Sequence, residues 1–350
     1  MATKPRIAIF DPLNPRERSF MQPLTAHLET SWQVDFYHPG TADEVAQAAQ
    51  DCDVLWFEWC GSLAAFATNQ IDLCGKKTII RLHSFEAIDT HYPNEVFWGN
   101  VDHLVLVCDD VLEILRLRWP ELERRVDIQI ITNAIGCDRF ANTAHKVMTD
   151  IAWVGRIEMK KNPGQFLQIL AKLAAIDPAY RLHVAGHCDD LRVSRYLSHL
   201  IGLLGLRDNI VFYDYVEDMP AWLQDKGVLL STSLYESFGL NIGEAMAAGA
   251  FPVIHNFPGA SNTWPHECLY STIDEAVALI RAAEPGKYMD YVRRRYDSML
   301  QFIAVDALLA KPNRKTVDQM DFTHGQTAIP TSSQTRRAQN MHRRLRRRAG

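Results

Sequence analysis

What most constrains this chain is a rhythm of short apolar runs alternating with helical spacing, and the rhythm plays twice. In the first half the apolar runs fall at 6–10, 33–37, 54–59, 77–82, 103–107 and 127–131, with helical patterns at 42–49 and 110–118 between them. The second half restarts with runs at 151–154, 181–185, 209–213, 228–231 and 251–254, and helical patterns at 164–175, 190–203, 219–223 and 239–248. A run of four to six apolar residues with a helix before the next one reads as a βαβ unit, which places the strands parallel and buried. Two such series predict an α/β chain of two doubly wound sheets. A length of 350 residues asks for the same division, because single cores stop growing well before that size.

The polar stretch 133–150, "NAIGCDRFANTAHKVMTD", separates the series and reads as the seam. The expected organisation is a domain over 1–145, a second over 146–285, a long amphipathic helix over 286–312 that crosses back to the first, and a polar then Arg-rich tail over 313–350, read as disordered. The tail carries seven arginines and no acid between Thr335 and Gly350. Since the whole chain is at −5, the remainder is near −12. An acidic body with a basic end allows three readings of the end: contact with an anionic membrane surface, contact with a nucleic acid or phosphorylated partner, or a solvated terminus. No leader pattern and no apolar run of spanning length is evident, and the seven cysteines form no CxxC pair, so a cytoplasmic protein is expected.

Ligands of open α/β sheets bind outside the carboxyl ends of the strands, which directs attention to four strand ends. After 151–154 comes "GRIEMKKNPG": Gly155, then Arg156, with Lys160 and Lys161 before a helix that opens at Asn162-Pro163. Arginine offers a planar fork and lysine a point charge to phosphate, and a solvated basic turn has the same composition. After 228–231 comes "TSLYESFGLNIGEAMAAGA", with Glu236 in the loop and Glu244 on the following helix. Gly239 admits close backbone approach, and the first-turn amides favour an anion. A capping carboxylate and a surface glutamate would read alike. After 77–82 stands His83, either a proton-handling group or a histidine satisfied by backbone. Glu58 stands at the end of the run 54–59, in "EWCGS", as a substrate contact or a solvated edge acid. Glu86, Asp89 and His91 lie close to His83 in sequence, but His83 and His91 are eight positions apart, which fits no compact zinc spacing, and no metal site is assigned. P-loop, GxGxxG and GxSxG signatures are absent from the sequence.

These segments, in this order, resemble the retaining glycosyltransferases of family 4, which have the GT-B fold of two Rossmann-like domains facing across a cleft. The resemblance is densest over 151–270. "VGRIEMKKNPGQFLQIL" is similar to the family's GR…K segment, "LHVAG" to its strand-then-glycine, and "STSLYESFGLNIGEAMAAGAFPV" to its pair of glutamates eight apart. "LGLRDNIVFYDYVEDMPAWLQ" resembles the family's segment between the last two, "NAIGCDRF" the interdomain stretch, and "RLHSFE" the histidine-bearing stretch of the first domain. The resemblance implies a donor site of Gly155, Arg156, Lys161, Val216, Glu236, Phe238, Gly239, Leu240 and Glu244. Arg156 and Lys161 would hold a diphosphate, Glu236 the donor sugar, Glu244 the ribose, and the loop at Tyr215-Val216 the base. His83, Arg156, Lys161 and Glu236 would be catalytic. Two features depart from the family pattern. Asp214 stands where a glycine is usual, and "DPLNPRERS" replaces a glycine-rich loop after the first strand, which puts Asn14, Arg16 and Glu58 on the acceptor side.

The implied reaction moves a sugar from a nucleoside-diphosphate-sugar to an acceptor hydroxyl with retained configuration, without a cofactor or metal, in the synthesis of a cell-surface glycan or glycoconjugate. The expected partners are the nucleotide-sugar and a glycan, lipid or protein acceptor, with an anionic membrane surface reached through the tail and no nucleic acid. A nucleotide-sugar hydrolase or epimerase of the same fold, or a non-catalytic nucleotide-sugar-binding subunit, is the alternative.

Overall fold

A computed structural model describes residues 4–13, 20–38, 40–140 and 145–313. The Arg-rich tail and the loop carrying Asn14 and Arg16 lie outside these residues.

Two six-stranded, all-parallel sheets carry the chain. The first has the order β2-β1-β3-β4-β5-β6, built from β1 (Arg6–Phe10), β2 (Gln33–Tyr37), β3 (Val54–Phe57), β4 (Lys77–Leu82), β5 (His103–Leu106) and β6 (Asp127–Ile130). The second has the order β12-β11-β10-β7-β8-β9, built from β7 (Val147–Val154), β8 (Arg181–Ala185), β9 (Ile210–Tyr213), β10 (Lys226–Ser231), β11 (Phe251–His255) and β12 (Leu269–Tyr270). Sheets wound outward from a central strand in two directions leave a crevice where the order reverses. That point lies between β1 and β3 in the first sheet and between β7 and β10 in the second.

The strands read from sequence are present, with ends shifted by one or two residues in several. Two differences are larger. β7 starts at Val147, so the end of the presumed seam is already strand, and β12 is too short for periodicity to reveal. The central strands β3, β4, β5 and β10 are buried along their whole length. One apolar core fills both faces of the second sheet, around Trp153, Phe166, Leu230, Ile242 and Val253.

One face of the first sheet is covered by its own helices, and the other by the helix Gln22–Leu28 together with the helix Ser298–Ala310, which returns from the second sheet. Val305, Leu308 and Leu309 pack with Ile7, Ile9, Met21, Leu24 and Trp56. Burial of side chains this size stabilises by about 1.5–3 kcal/mol each, so the last helix is part of the first sheet's core. Lys77 on β4 fixes its end by donating to the carbonyls of Leu309 and Lys311, satisfying groups a helix leaves open. The single helix expected over 286–312 is in fact two, Met289–Tyr296 and Ser298–Ala310. The break at Asp297 has a direct cause. Ile135, in the seam, donates its amide to Tyr296 O at 2.7 Å and accepts from Ser298 N at 3.2 Å. The outgoing and returning chains thus bond to each other where they pass between the sheets, and Asp297 caps the second helix by accepting from Met299 N at 3.1 Å.

Candidate functional site

The second sheet presents its residues at the switch point. β7 ends at Val154, and the chain turns at Gly155, whose φ of +149° suits only glycine. Gly186, at the end of neighbouring β8, stands so close that a Cβ there would lie 1.9 Å from Gly155 O. The bare Gly186 thus lets the two strand ends come together, and the Lys161 stem runs alongside Gly155. Asn162 caps the helix Pro163–Ile176 from a left-handed backbone, φ +49°, with no side-chain cap bond. Asparagine is one of the few residues that tolerate this conformation.

Across the switch point, the loop after β10 is stitched to the lysine turn. Thr232 Oγ1 donates to Lys161 O at 2.6 Å and receives Trp153 Nε1 at 3.0 Å, while Leu234 N donates to Lys160 O at 2.8 Å. Held this way, Lys161 Nζ meets Glu236 Oε1 in an ion pair, and Ser233 Oγ donates to the same oxygen at 2.7 Å. The pair is largely buried, at 15% and 11% side-chain exposure, whereas Arg156 beside it is exposed. Gly239, at φ +85°, then opens the helix Leu240–Ala247 without a side-chain cap, leaving its first turn open to an anion. Asn241 Nδ2 ties that helix to Val154 O at 2.8 Å, across the switch point. Phe238 is in the core against Trp264 and Tyr296, so only its backbone is available to a ligand.

Glu244 is half-buried one turn into the helix. Burial pushes its carboxyl up to about 7, with Arg139 of the seam pulling the other way. Nearby, a cavity of 540 Å³ is lined by Arg139, Glu217, Asp218, Pro220, Ala221 and Gln224, next in sequence to Val216. Asp214, in the glycine position of the resembled pattern, pairs with His187 Nδ1 at 2.7 Å and raises that imidazole's pKa.

The first sheet's wall is built differently. Glu58 is neither solvated nor open to a substrate, as its place at a strand end suggests; it is 0% exposed. Three groups converge on it. Trp56 Nε1 donates to Oε2 at 2.9 Å, Arg81 NH1 donates to Oε1 at 3.1 Å, and His83 Nε2 lies 3.2 Å from that same Oε1. Burial raises a carboxyl, but Arg81, His83 and Trp56 outweigh it and leave Glu58 below its usual value. Arg81, 1% exposed, also donates to Asn133 Oδ1 at 2.5 Å, so the seam is fastened to the same network. The His83 ring is held by stacking on Trp59, with centroids 4.3 Å apart, and by the edge of Phe20 at 5.9 Å. Glu86 is buried close to His83. Its Oε1 accepts from Cys60 N at 3.0 Å, its Oε2 is buried without a partner, and burial pushes the carboxyl up to about 7. Among the described residues no three His, Cys, Asp or Glu side chains converge as a metal site would require.

Among the described residues, side-chain hydrogen bonds join the walls at Ser84–Ser237 and at Tyr235–Asp110, where Gly259 also packs against Asp110. Ser84, beside His83, gives its amide to Ser237 Oγ at 3.1 Å, and the two hydroxyls are hydrogen-bonded. Tyr235 OH donates to Asp110 Oδ2 at 2.6 Å. Ser237 adjoins Glu236, so the histidine of one sheet and the Lys161–Glu236 pair of the other are brought to one cleft. Sequence reasoning missed Arg81, Asn133 and the Tyr235–Asp110 contact. Arg81 had a readable signal: a charge inside the buried run "KTIIRL" needs a partner. The contact between walls had none, since nothing local announces which loops will face one another.

Residues 138–267 match the model of a family described as glycosyl transferases group 1. A GDP-mannose:cellobiosyl-diphosphopolyprenol alpha-mannosyltransferase of Xanthomonas campestris is 25% identical over 134 residues, 37% of this chain and 35% of that protein. A mannosylfructose-phosphate synthase of Agrobacterium fabrum is 32% identical over 108 residues, 29% of this chain and 24% of that protein. The matched stretch thus spans about a third or less of these relatives. Among solved structures, Anabaena HepE in complex with UDP aligns over 88% of this chain and 100% of that one, with a TM-score of 0.69 and 14% identity. Sucrose-phosphate synthase of Thermosynechococcus elongatus aligns over 87% and 98%, with a TM-score of 0.66 and 14% identity. The fold is that of GT-B proteins.

Proposed function

We propose that this chain, which matches the glycosyl transferases group 1 through residues 138–267, transfers a sugar from a nucleoside-diphosphate-sugar to an acceptor hydroxyl with retention of configuration. The observation that carries this reading is the ion pair of Lys161 with Glu236 at the switch point of the second sheet, beside exposed Arg156 and the uncapped first turn at Gly239. In the free protein the lysine and the glutamate satisfy each other. A diphosphate entering the cleft meets Arg156, Lys161 and the first-turn amides. Glu236 then accepts from sugar hydroxyls, and Glu244, one turn on, from those of the ribose.

As the glycosidic C–O bond breaks, negative charge grows on the departing diphosphate. Preorganised charge aimed at that position is usually the largest catalytic contribution, so the reading calls on no metal ion. The front-face geometry of a retaining transfer needs no carboxylate nucleophile. It needs the acceptor hydroxyl, the anomeric carbon and the phosphate oxygen held together with water excluded, which the two walls do when joined at Ser84–Ser237.

The donor base and sugar are matters for a panel. The named relatives and structures include a GDP-mannose enzyme and a UDP complex, so both GDP- and UDP-sugars belong in it. A true donor raises the melting point by mass action. Turnover with an acceptor, followed by the product's one-bond C1–H1 coupling, then decides retention. Free sugar or epimer from donor alone would instead establish the hydrolase or epimerase reading. The relative named for a diphosphopolyprenol-linked substrate supports a cell-surface glycan acceptor, and a polyprenol-linked glycan heads the acceptor panel.

A further inference from the structure

Glu58 is a carboxylate surrounded by donors. Trp56 Nε1–H can only donate, and so can Arg81. An ionised carboxylate can only accept, and the Arg81 guanidinium in contact keeps this one ionised. The third neighbour, His83 Nε2, is the one group with a choice, and facing an acceptor-only oxygen at 3.2 Å it must carry the hydrogen. Its ring cannot turn away, because Trp59 stacks on one face at 4.3 Å and Phe20 meets it edge-on. His83 Nδ1 makes no hydrogen bond with any described residue. The next residue, Ser84, is already in contact with Ser237 of the opposite wall.

We propose that Glu58 is a positioning residue that fixes His83 as its Nε2–H tautomer, leaving Nδ1 as a lone pair that accepts a hydrogen bond from a ligand hydroxyl. The inference rests on the transferase reading for the identity of that ligand, a sugar or acceptor hydroxyl, but not for the tautomer. It sorts ligands by chemistry. A group that donates, such as a hydroxyl, is accepted at Nδ1, and a bare anion such as a phosphate oxygen is not. Arg81 and Asn133 complete the device, since the guanidinium that holds Glu58 ionised also fastens the seam between the sheets.

The donor count also says what the substitution Glu58→Gln does. The amide replaces one acceptor oxygen by a donor NH2. Placed toward Trp56 it confronts an N–H, and placed toward Arg81 and His83 it confronts the guanidinium while offering His83 a reason to reverse its tautomer. No orientation of the introduced amide satisfies all three neighbours.

The test reads the imidazole directly. Long-range 15N–1H correlation spectra of the labelled wild-type protein at neutral pH, with His83 assigned by its loss in His83→Gln, should show the proton on Nε2 and none on Nδ1. In Glu58→Gln that signal should shift to the other tautomer or to a mixture. With a donor found, kcat should fall roughly tenfold or more in Glu58→Gln with donor KM little changed, the size expected for losing a hydrogen bond to a charged group. In the His83→Gln background, adding Glu58→Gln should cost nothing further. A wild-type His83 protonated on Nδ1 would overturn the proposal, as would losses that multiply in the double variant. If Glu58→Gln does not fold, the wild-type spectrum alone decides. If no donor is turned over, the transferase reading fails while the tautomer result stands.

Discussion

The two walls of the cleft use the same kinds of charge in opposite ways. On the first sheet, Glu58 and Arg81 are shut away from water, and each polar atom of the Glu58 carboxylate has its partner. On the second, Lys161 and Glu236 retain some exposure, Arg156 is exposed, and Glu244 has only Arg139 to oppose its burial. A sealed ion pair costs desolvation and gains little net stability, but removing one partner strands the other. A pair that water or a ligand can still reach has a replacement partner when it separates. The first wall is thereby suited to holding a side chain in one orientation, and the second to exchanging one partner for another when a ligand arrives.

The largest effect that would break this comparison is on stability. Glu58→Ala leaves the Arg81 guanidinium buried and unpaired, which should destabilise the protein by about 3–5 kcal/mol in denaturant unfolding. Lys161→Ala should cost less than that, because Glu236, though largely buried, keeps the Ser233 Oγ donor and some contact with water. If the two variants unfold at the same denaturant concentration, the walls do not differ as described.

Turnover should reverse the ranking between walls. Lys161→Ala and Arg156→Ala each remove charge from where the diphosphate leaves, and each should cost roughly 100- to 1000-fold in kcat, as loss of one preorganised donor typically does. Near-normal kcat in both, with folding intact, would remove the phosphate role from these cations. Lysine replaced by arginine at 161 should recover part of the rate, since charge returns but the short reach to Glu236 does not.

The sequence carried the second wall better than the first, and the reason is physical. Arg156, Lys161, Glu236 and Gly239 lie within two short segments, each at a strand end, so strand order alone brings them together. The alternation of apolar runs likewise made nearly all strands legible. Glu58 was misread because exposure depends on what covers it. Its cover is Arg81 from the neighbouring strand and Asn133 from the seam, 52 residues apart in sequence. The break between helices 289–296 and 298–310 was missed for a partly similar reason: Asp297 is a legible N-cap, but the apolar spacing of "KYMDYVRRRYDSMLQFIAVDALLA" runs straight through it, and Ile135, which bonds on both sides of the break, is far upstream.

A smaller effect is the pH dependence of stability, where each wall has a carboxyl raised to about 7, Glu86 in the first and Glu244 in the second. Both are raised by burial, so between about 4.5 and about 7 the folded protein holds more protons than the unfolded chain, and stability falls as pH rises through that window. Glu58 has the opposite sign. Its lowered pKa contributes stability that is present at neutral pH and lost only as the pH drops below the ordinary carboxylate range. The buried histidines His103 and His183, whose pKa values are lowered, slope the other way, so the two carboxyls are read by difference between melting curves: Glu86→Gln or Glu244→Gln should each lose a share of stability that in the wild type declines from about pH 4.5 to 8. A variant whose profile stays parallel to the wild type's across this window would contradict the burial of the group it replaces. Donor binding adds a contrast between walls: ribose hydroxyls that donate to Glu244 favour its ionised form, so bound donor should flatten the Glu244 share and leave the Glu86 share in place.

The smallest effect concerns the contact between the walls. Tyr235→Phe keeps the ring and removes only the hydroxyl that donates to Asp110 Oδ2 at 2.6 Å. Asp110 is partly exposed and water can replace the lost donor, so the cost should be near 1 kcal/mol, about the net worth of a typical protein hydrogen bond. That energy favours the joined walls over the parted ones. If only the joined form binds donor well, weakening it by about 1 kcal/mol lowers the competent fraction and raises donor KM by up to about fivefold, with kcat nearly unchanged. The Lys161 and Arg156 variants act on kcat, so the two kinds of variant separate joining the walls from the chemistry within them. A Tyr235→Phe protein with reduced kcat and unaltered KM would mean that the Tyr235–Asp110 bond belongs to the reacting arrangement itself and not to its closure.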